Sequence, residues 1–439
     1  METMSKSIAP EPEWAAFVAI DWADQKHVWA LAEGGSQRRE RGELAQTPES
    51  VEVWAMDLYR RFGGRPIALC LERKQGALVA MLAKYPHLVL YPVHPKTAAQ
   101  YRETFCPSGA KSDEGDALLL LDLLLHHRQQ LRQLLPDTVE TRLLQSLVET
   151  RRRLVNERTR QSNRLTACLK IYFPQVLSWF DDITSPLVGA VLERWPTLQA
   201  LRRVHPGTLR KFFHQQNCRD EERIRERIEG IREAMVAVED EAILEGQSRK
   251  GQILVAVIKT LREQIAILDK RIAEVVATHP EAKLFGSLPG VGPVLLPRLI
   301  VAFGTQRERF ESAEEVARYS GIASRFPVAR PKLSACVSLA PQFLRQTFHE
   351  WADHSRGKSE WARIFYDVHR EQGNDHHATL RSLGFKWIRV AYRCWKNRQA
   401  YDEQIHIRSL QRRNSPLAGA FAPATRKEWK PVAGFQKLS

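Results

Sequence analysis

Four carboxylates in the chain have residue types and an order suited to metal-dependent phosphoryl transfer. Asp21 and Glu72 each end a short apolar run, and Asp113 and Asp116 stand three residues apart where the apolar run ALLLLDLLL begins. Residues three apart on a helix share one face. Converging carboxylates repel one another or take up protons unless a cation neutralises them. Mg²⁺ prefers such oxygen ligands, and two ions about 3.5–4 Å apart hold both reacting oxygens of a phosphoryl transfer. The pattern therefore indicates a two-ion Mg²⁺ site.

Each of these carboxylates also has a structural explanation when taken alone. Asp113 follows Ser112 and precedes an apolar helical pattern, so it also suits a helix N-terminus. Asp21 suits a turn at the end of a strand, and Glu72 suits a surface charge. Only their joint order along the chain favours the metal site over these alternatives.

The segments around the carboxylates predict an α/β layer. Short apolar or alternating runs and helical patterns between residues 15 and 130 follow the order strand, strand, strand, helix, strand, helix, strand, helices. This order predicts a mixed central sheet whose antiparallel strands come first. Functional groups in α/β sheets gather at strand ends, and Asp21 and Glu72 are expected at such ends.

A long helical region follows, from residue 136 to residue 280. The segments TVETRLLQSLVETRRRLVNERTRQSNRLTACLKIYF and ILVAVIKTLREQIAILDKRIAEVVATH have coiled-coil-like apolar spacing. The first also carries a dense set of arginines: Arg151, Arg152, Arg153, Arg158, Arg160 and Arg164. Two interpretations stand side by side: a surface helix pair, or a spacer and dimer contact that also binds phosphate.

The last part of the chain predicts a mostly α domain with a turn rich in glycine. Gly290 and Gly292 in LPGVGP permit a tight hairpin whose N–H groups can meet a phosphate, as in a helix–hairpin–helix element; a plain turn between helices is the alternative. Arg345, Lys386 and Arg389 lie among aromatic residues, which suits contacts to a nucleic-acid backbone. Trp387 and Trp395 are better explained as core.

These patterns predict five regions along the chain. They are an N-terminal tail (1–14), the α/β catalytic domain (15–135), the helical or coiled-coil region (136–280), the C-terminal domain (281–405) and a flexible tail (406–439).

The bulk composition favours a polyanionic partner. The net charge is +15 and the isoelectric point is near 9.7, an excess of the kind seen in proteins that bind nucleic acid. The six cysteines include no C-x-x-C pair, which argues against a zinc site or a disulfide framework. No run of eighteen apolar residues and no apolar leader occur, so a cytoplasmic protein without a membrane partner is expected.

The motifs together resemble a known family. The segments VAIDWADQKHVW, CLERKQGALVAML and GAKSDEGDALLLLD are similar to the RuvC-like, ribonuclease-H-type catalytic domain. With RFESAEEVARYSGIA and PQFLRQTFHEWADHSR, they resemble the DEDD insertion-sequence transposases, or bridge-RNA-guided recombinases, over most of residues 15–400. The resemblance implies that the four carboxylates are catalytic metal ligands, and that Lys111 contacts a phosphate.

The resemblance also implies a reaction and partners. In this family the carboxylate site acts together with a serine of the C-terminal domain, which attacks DNA to form a 5′-phosphoserine linkage before the strands are rejoined. A structured bridge RNA selects donor and target DNA by base pairing. A dimer or tetramer is expected, because two DNA duplexes are held together.

One motif departs from the family pattern. The family has a Ser-Gly pair shortly after a Gly-hydrophobic-Ala-Pro turn, whereas this chain has GIAS, with Ala329 and Arg330 where the pair is expected. The nearest hydroxyl groups belong to Ser324, Ser334 and Ser338, and we hypothesise a locally altered reading frame. Two alternatives therefore stay open: a RuvC-like junction nuclease that hydrolyses DNA, and a decayed copy that only binds nucleic acid.

Overall fold

The computed structural model describes residues 13–72, 76–105, 113–322 and 342–413. The chain divides into two compact units, Met1–Pro136 and Asp137–Ser439.

The first unit contains a mixed five-stranded sheet. Its strands are β1 (Ala16–Asp21), β2 (Lys26–Glu33), β3 (Arg39–Ala45), β4 (Ile67–Leu71) and β5 (Leu88–Pro92), in the spatial order β3-β2-β1-β4-β5. The β3-β2-β1 pairs are antiparallel and the β1-β4-β5 pairs are parallel. The prediction of a mixed sheet with its antiparallel strands first is confirmed. The helices of this unit are α1 (Pro48–Phe62), α2 (Ala77–Leu82), α3 (Pro95–Phe105) and α4 (Asp113–His127).

Local sequence signals explain where α1 begins and ends. The Thr47 side chain accepts a hydrogen bond from the Ser50 backbone N–H at 3.2 Å, and Pro48 follows it at a position where no N–H is needed. Gly63 ends the helix in the left-handed conformation, with a φ of 61°. These signals fix the length of the helix that covers one face of the sheet.

Residues alternate between the two faces of the sheet, and each face has its own core. Val18 and Ile20 pack with α1 and α2 on one face. Ala19, Ala68 and Cys70 pack with the leucines of α4 on the other. Small residues on this second face let α4 lie close to the strands, and α4 contacts β1, β2 and β4.

In the described residues of the second unit, all regular secondary structure is helical. Its helices are α5 (Val139–Tyr172), α6 (Val176–Trp179), α7 (Pro186–Arg194), α8 (Leu198–Arg202), α9 (Pro206–Gln215), α10 (Glu221–Glu233), α11 (Glu241–Thr278), α12 (Ala282–Gly286), α13 (Leu295–Phe303), α14 (Ala313–Ser320), α15 (Gln342–Ser355), α16 (Glu360–Glu371), α17 (His376–Asn397) and α18 (Glu403–Arg412).

The long helices α5 and α11 pack against each other and join two cores. Leu254, Ile258 and Ile265 of α11 are buried at intervals of four and seven residues, the spacing of a helix seam. The C-terminal end of α5 and residues 254–258 of α11 share a core with α6 to α10. The start of α5 and the end of α11 belong to the C-terminal core instead.

The C-terminal core contains four fully buried tryptophans, which are Trp351, Trp361, Trp387 and Trp395. Trp387 donates from Nε1 to the Ser355 hydroxyl at 2.7 Å, and Trp395 donates from Nε1 to the Gly304 carbonyl at 2.7 Å. Both are 0% exposed, so their interpretation as core residues is confirmed. Residues 406–412, which the sequence assigns to the flexible tail, are helical instead, because Ile407 packs into this core.

Within the ranges described above, no helix is long and apolar enough to cross a membrane.

Candidate active site

Asp21 and Glu72 lie at the same edge of the sheet. Asp21 is the last residue of β1, and Glu72 follows the last residue of β4. These strands are parallel neighbours with Ile20 opposite Leu71, so Asp21 and Glu72 continue the same register. Neighbouring strands are about 4.8 Å apart, which brings the two carboxylates to one end of the sheet.

Strand alternation directs both carboxylates toward the α4 face. Asp21 is two residues after Ala19, and Glu72 is two residues after Cys70. Ala19 and Cys70 both pack with α4, and successive side chains along a strand point to opposite faces. Burial raises the pKa of the Cys70 thiol to about 12, and the nearby negative charge of Glu72 is the second cause of this increase. That thiol is therefore protonated at neutral pH and is not a nucleophile.

Asp116 lies on α4 and is only 3% exposed. Its Oδ1 atom is 2.6 Å from Nε of Arg102, a residue of α3. The N–H of Arg102 is not aimed at that oxygen, so the contact is an ion pair without a satisfactory hydrogen bond. Among the described residues, Asp116 Oδ2 has no hydrogen-bond partner. A buried carboxylate oxygen without a partner is costly, and this feature fits a metal ligand.

The rest of the carboxylate site is described only in part. Helix α4 begins at Asp113, which places Asp113 one turn before Asp116 on the same helix face. The side chain of Asp113 and all of Lys111 lie outside the described residues, as do Ser324, Ser334 and Ser338. Among the side chains that are described, no group of three or more His, Cys, Asp or Glu residues is close enough to hold a metal ion. The donors that the fold directs to this region are all oxygens, which suits Mg²⁺.

Arg102 is a residue that the sequence reasoning missed. It is separated from Asp116 by fourteen positions and belongs to a different helix. No periodicity relates residues of two helices joined by a connecting segment. Arg102 also lies eleven residues before Asp113, too far along the chain for a local motif to indicate the pairing.

The arginines of α5 fall into two groups. Arg151 donates to Asp269 of α11, with Nη2 3.2 Å from Oδ2, and Arg152 donates to Gln346 of α15. Burial, and secondly the charge of Arg298, lower the pKa of Arg152. These two residues therefore connect helices of the unit. Arg153, Arg160 and Arg164 are exposed and Arg158 is partly exposed. Of these, Arg160 pairs with Glu157 and Arg164 donates to Gln161, both within α5.

The two glycines of the LPGVGP turn have different surroundings. Gly290 has a φ of +76°, and a Cβ atom there would lie 2.8 Å from the backbone of His354 and Ser355. Its need for glycine is thus explained by close packing against the end of α15. Gly292 has nothing within 4 Å of the equivalent position, and its carbonyl accepts from the Leu296 N–H at 2.9 Å where α13 begins. The open side of the turn is therefore at Gly292.

A basic stripe lies along α17. Lys386, Arg389 and Arg393 are exposed and follow one another at intervals of three and four residues, so they share one face of the helix. Arg389 is 3.8 Å from Glu314 in an exposed pair, which contributes little. Arg345 of α15 is also exposed. These side chains are accessible to an anionic partner.

Comparisons with known proteins match both halves of the chain. A DEDD transposase model of IS110 elements matches residues 18–174, and a model described as transposase of the IS116/IS110/IS902 family matches residues 282–367. A Streptomyces coelicolor protein named "Mini-circle putative transposase for IS117" is 26% identical over 90% of this chain and 97% of its own length.

Two further relatives have other names. The insertion element IS116 uncharacterized 44.8 kDa protein of Streptomyces clavuligerus is 26% identical, over 82% of this chain and 86% of that protein. The pilin gene-inverting protein of Moraxella bovis is 26% identical over 34% of this chain and 48% of its own length.

Proposed function

The chain belongs to the IS110 family of transposases and is a DNA transposase or recombinase, and on this premise we propose that it cuts and rejoins the DNA of an insertion sequence at a Mg²⁺ site. Asp21, Glu72, Asp113 and Asp116 hold the metal. The observation that carries this proposal is the buried Asp116, whose Oδ2 has no partner among the described residues, on the helix that packs against β1 and β4. Asp21 and Glu72 end or follow those same two strands.

Each carboxylate has a definable part in this proposal. When bound, Mg²⁺ supplies Lewis-acid stabilisation of the charge that develops on the phosphoryl oxygens. Asp21 and Glu72 present oxygens from the rigid end of the sheet, and Asp116 presents one from a helix fixed by packing. Rigid supporting elements hold ligands in the geometry that the chemistry requires. Lys111, just before the D-x-x-D motif, contacts a substrate phosphate.

We propose that the nucleophile is a serine of the C-terminal region, with Ser324, Ser334 and Ser338 as candidates. Its Oγ attacks phosphorus, the bond from phosphorus to the 3′ oxygen breaks, and the serine proton ends on the released 3′-hydroxyl. Attack of a 3′-hydroxyl on the phosphoserine then reverses these bond changes. The number of phosphoester bonds is conserved, so rejoining requires no external energy source.

The accessible cations support a nucleic-acid partner. Phosphate contacts suit the exposed side chains of Arg345, Lys386 and Arg389 in the C-terminal region, and also the exposed arginines of α5. Arg151 and Arg152 suit them less, because both donate to groups on other helices. Gly292 lies on the open side of its turn and is the better placed of the two glycines. We propose that a bridge RNA pairs with donor and target DNA, because base pairing supplies sequence while a basic protein binds backbone. A dimer or tetramer holds the two duplexes.

A suicide DNA substrate tests the proposal. We expect a covalent protein–DNA adduct in the presence of Mg²⁺ and the bridge RNA, and its absence with Asp116→Asn. Peptide mapping of the adduct identifies the serine, and replacing that serine with alanine must abolish the adduct.

A metal-dependent junction nuclease is the second candidate function, and it is favoured because Ala329 and Arg330 stand where the family pattern expects a Ser-Gly pair. The two functions give different products in the same assay. A nuclease that hydrolyses DNA releases free 5′-phosphate ends and forms no protein–DNA adduct, and this release should require Asp116. DNA binding with neither product would identify a decayed copy and would refute both activities.

A further inference from the structure

Arg102 stands where the proposed metal site needs a positive charge. Its Nε lies 2.6 Å from Oδ1 of Asp116, whose side chain is 3% exposed, whereas the side chain of Arg102 is 23% exposed. The carboxylate is thus buried and the guanidinium is within reach of solvent. A buried carboxylate strongly favours a cation next to it, and Arg102 supplies that cation from the protein itself.

The contact differs from a permanent structural ion pair. A stable arginine–carboxylate pair is normally bidentate, with two parallel N–H···O bonds. Here the closest nitrogen, Nε, makes no satisfactory hydrogen bond, and both Arg102 Nε and Asp116 Oδ2 lack hydrogen-bond partners among the described residues. Asp116 is therefore neutralised by charge proximity while half of its acceptor capacity is unused.

We propose that Arg102 is the internal counter-cation of Asp116 in the metal-free protein, and that it competes with divalent cations for this carboxylate. This inference rests on the proposed metal site. Arg102 must move away from Asp116 for the carboxylate to become a full ligand, and its long side chain and partial exposure permit that movement. The protein is thereby protected from an uncompensated buried charge when no metal is bound, at some loss of metal affinity.

A merely structural role for Arg102 predicts the opposite effect on metal binding. If the guanidinium only held Asp116 in place, its removal would disorder the ligand and weaken metal binding. If it competes, its removal strengthens metal binding. The sign of the change in affinity therefore distinguishes the two roles without any measurement of catalysis.

Titration of the full-length protein with Mn²⁺ tests the proposal, with free Mn²⁺ followed by electron paramagnetic resonance. We expect Arg102→Gln to bind Mn²⁺ at least about fivefold more tightly than the unaltered chain, the lower end of typical coupling between linked interactions. Arg102→Lys keeps the charge and should stay close to the unaltered chain. Arg39→Gln is the matched control, because Arg39 pairs with Asp122 on the same helix α4 but both side chains are 35% exposed; its Mn²⁺ affinity should not change.

Thermal denaturation gives a second measurement on the same proteins. Metal-free Arg102→Gln should melt below the unaltered chain, and Mn²⁺ should raise its melting temperature by the larger amount. If Arg102→Gln does not fold, the comparison of Arg102→Lys with Arg102→Met, which carries no charge at any pH, decides the question in the same way.

The possible failures are distinguishable. Unchanged or weaker Mn²⁺ binding by Arg102→Gln, with binding by the unaltered chain abolished by Asp116→Asn, would overturn the role of Arg102 and leave the metal site standing. No Mn²⁺ binding by the unaltered chain or by Arg102→Gln would overturn the metal site and this inference with it.

Discussion

Replacing Gly290 with alanine should destabilise the second unit, and Gly292→Ala should not. Gly290 has a φ of +76°, and an added Cβ would lie 2.8 Å from His354 C and Ser355 N and 2.9 Å from Ser355 Cα. Backbone atoms cannot rotate away as a flexible side chain can. Either the turn or the end of α15 must therefore shift.

The expected magnitude follows from two contributions. The left-handed conformation costs an alanine about 1–2 kcal/mol, and an overpacked site costs about 1–3 kcal/mol more. The total is about 2–5 kcal/mol. The shift would also strain two contacts at this junction: Trp351 Nε1 donates to the Pro289 carbonyl at 2.9 Å, and Trp387 Nε1 donates to the Ser355 hydroxyl at 2.7 Å.

Differential scanning calorimetry of the full chain measures the effect. The melting temperature of the second unit should fall by at least about 4 °C in Gly290→Ala, and Trp387→Phe identifies which transition belongs to that unit. In Gly292→Ala the free energy of unfolding should change by less than about 0.5 kcal/mol, since no heavy atom lies within 4 Å of the new Cβ. Equal melting of the two variants would refute the packing explanation for Gly290.

Three further predictions concern the site, the nucleic-acid surface and pH. Asp116→Asn should lower recombination in a plasmid assay by more than about 100-fold, because mutating even an outer-shell partner of a metal lowers affinity or activity by about 10–100-fold. Asp122→Asn on the same helix is the control, and equal losses in the two variants would contradict a special role for Asp116. Lys386→Ala and Arg389→Ala should each reduce the slope of log K against log salt by about one in DNA-binding titrations. Arg271 pairs with Glu274, and the control Arg271→Ala should leave the slope unchanged. An unaltered slope in all three variants would show that the basic stripe of α17 makes no DNA contact. Burial lowers the pKa of His406 from 6.5 to about 4. Between these two pH values the unfolded chain binds a proton that the folded chain does not, so stability should fall as pH is lowered from about 6.5 to about 4. His406→Gln should flatten the plot of melting temperature against pH in that window, and an unchanged plot would show that other groups dominate.

Much of the first unit could be read from local sequence. The strand order, the hairpin partners and the ends of α1 follow from apolar periodicity, a threonine cap and a terminal glycine, which act over a few residues. Alternation along β1 and β4 also places Asp21 and Glu72 on one face of a sheet. In the C-terminal region, the expectation that Trp387 and Trp395 are core residues is confirmed by their burial.

Partners that come from different elements could not be read in this way. The charge of α5 predicted a set of phosphate-binding arginines, but packing engages Arg151 with Asp269 and Arg152 with Gln346, which is 194 positions away. The LPGVGP motif predicted a turn, but only the close approach of the α15 backbone shows that Gly290 must be glycine and that Gly292 lies in open space.

The sequence by itself therefore determined which residue types stand at strand ends and on helix faces, because those properties depend on near neighbours. The tertiary structure alone decided which charge meets which. Asp116 was evident from the D-x-x-D motif, but its burial and its pairing with Arg102 depend on how α3 and α4 pack in the first unit. Electrostatic pairing depends on distance in space, which periodicity along a chain does not specify.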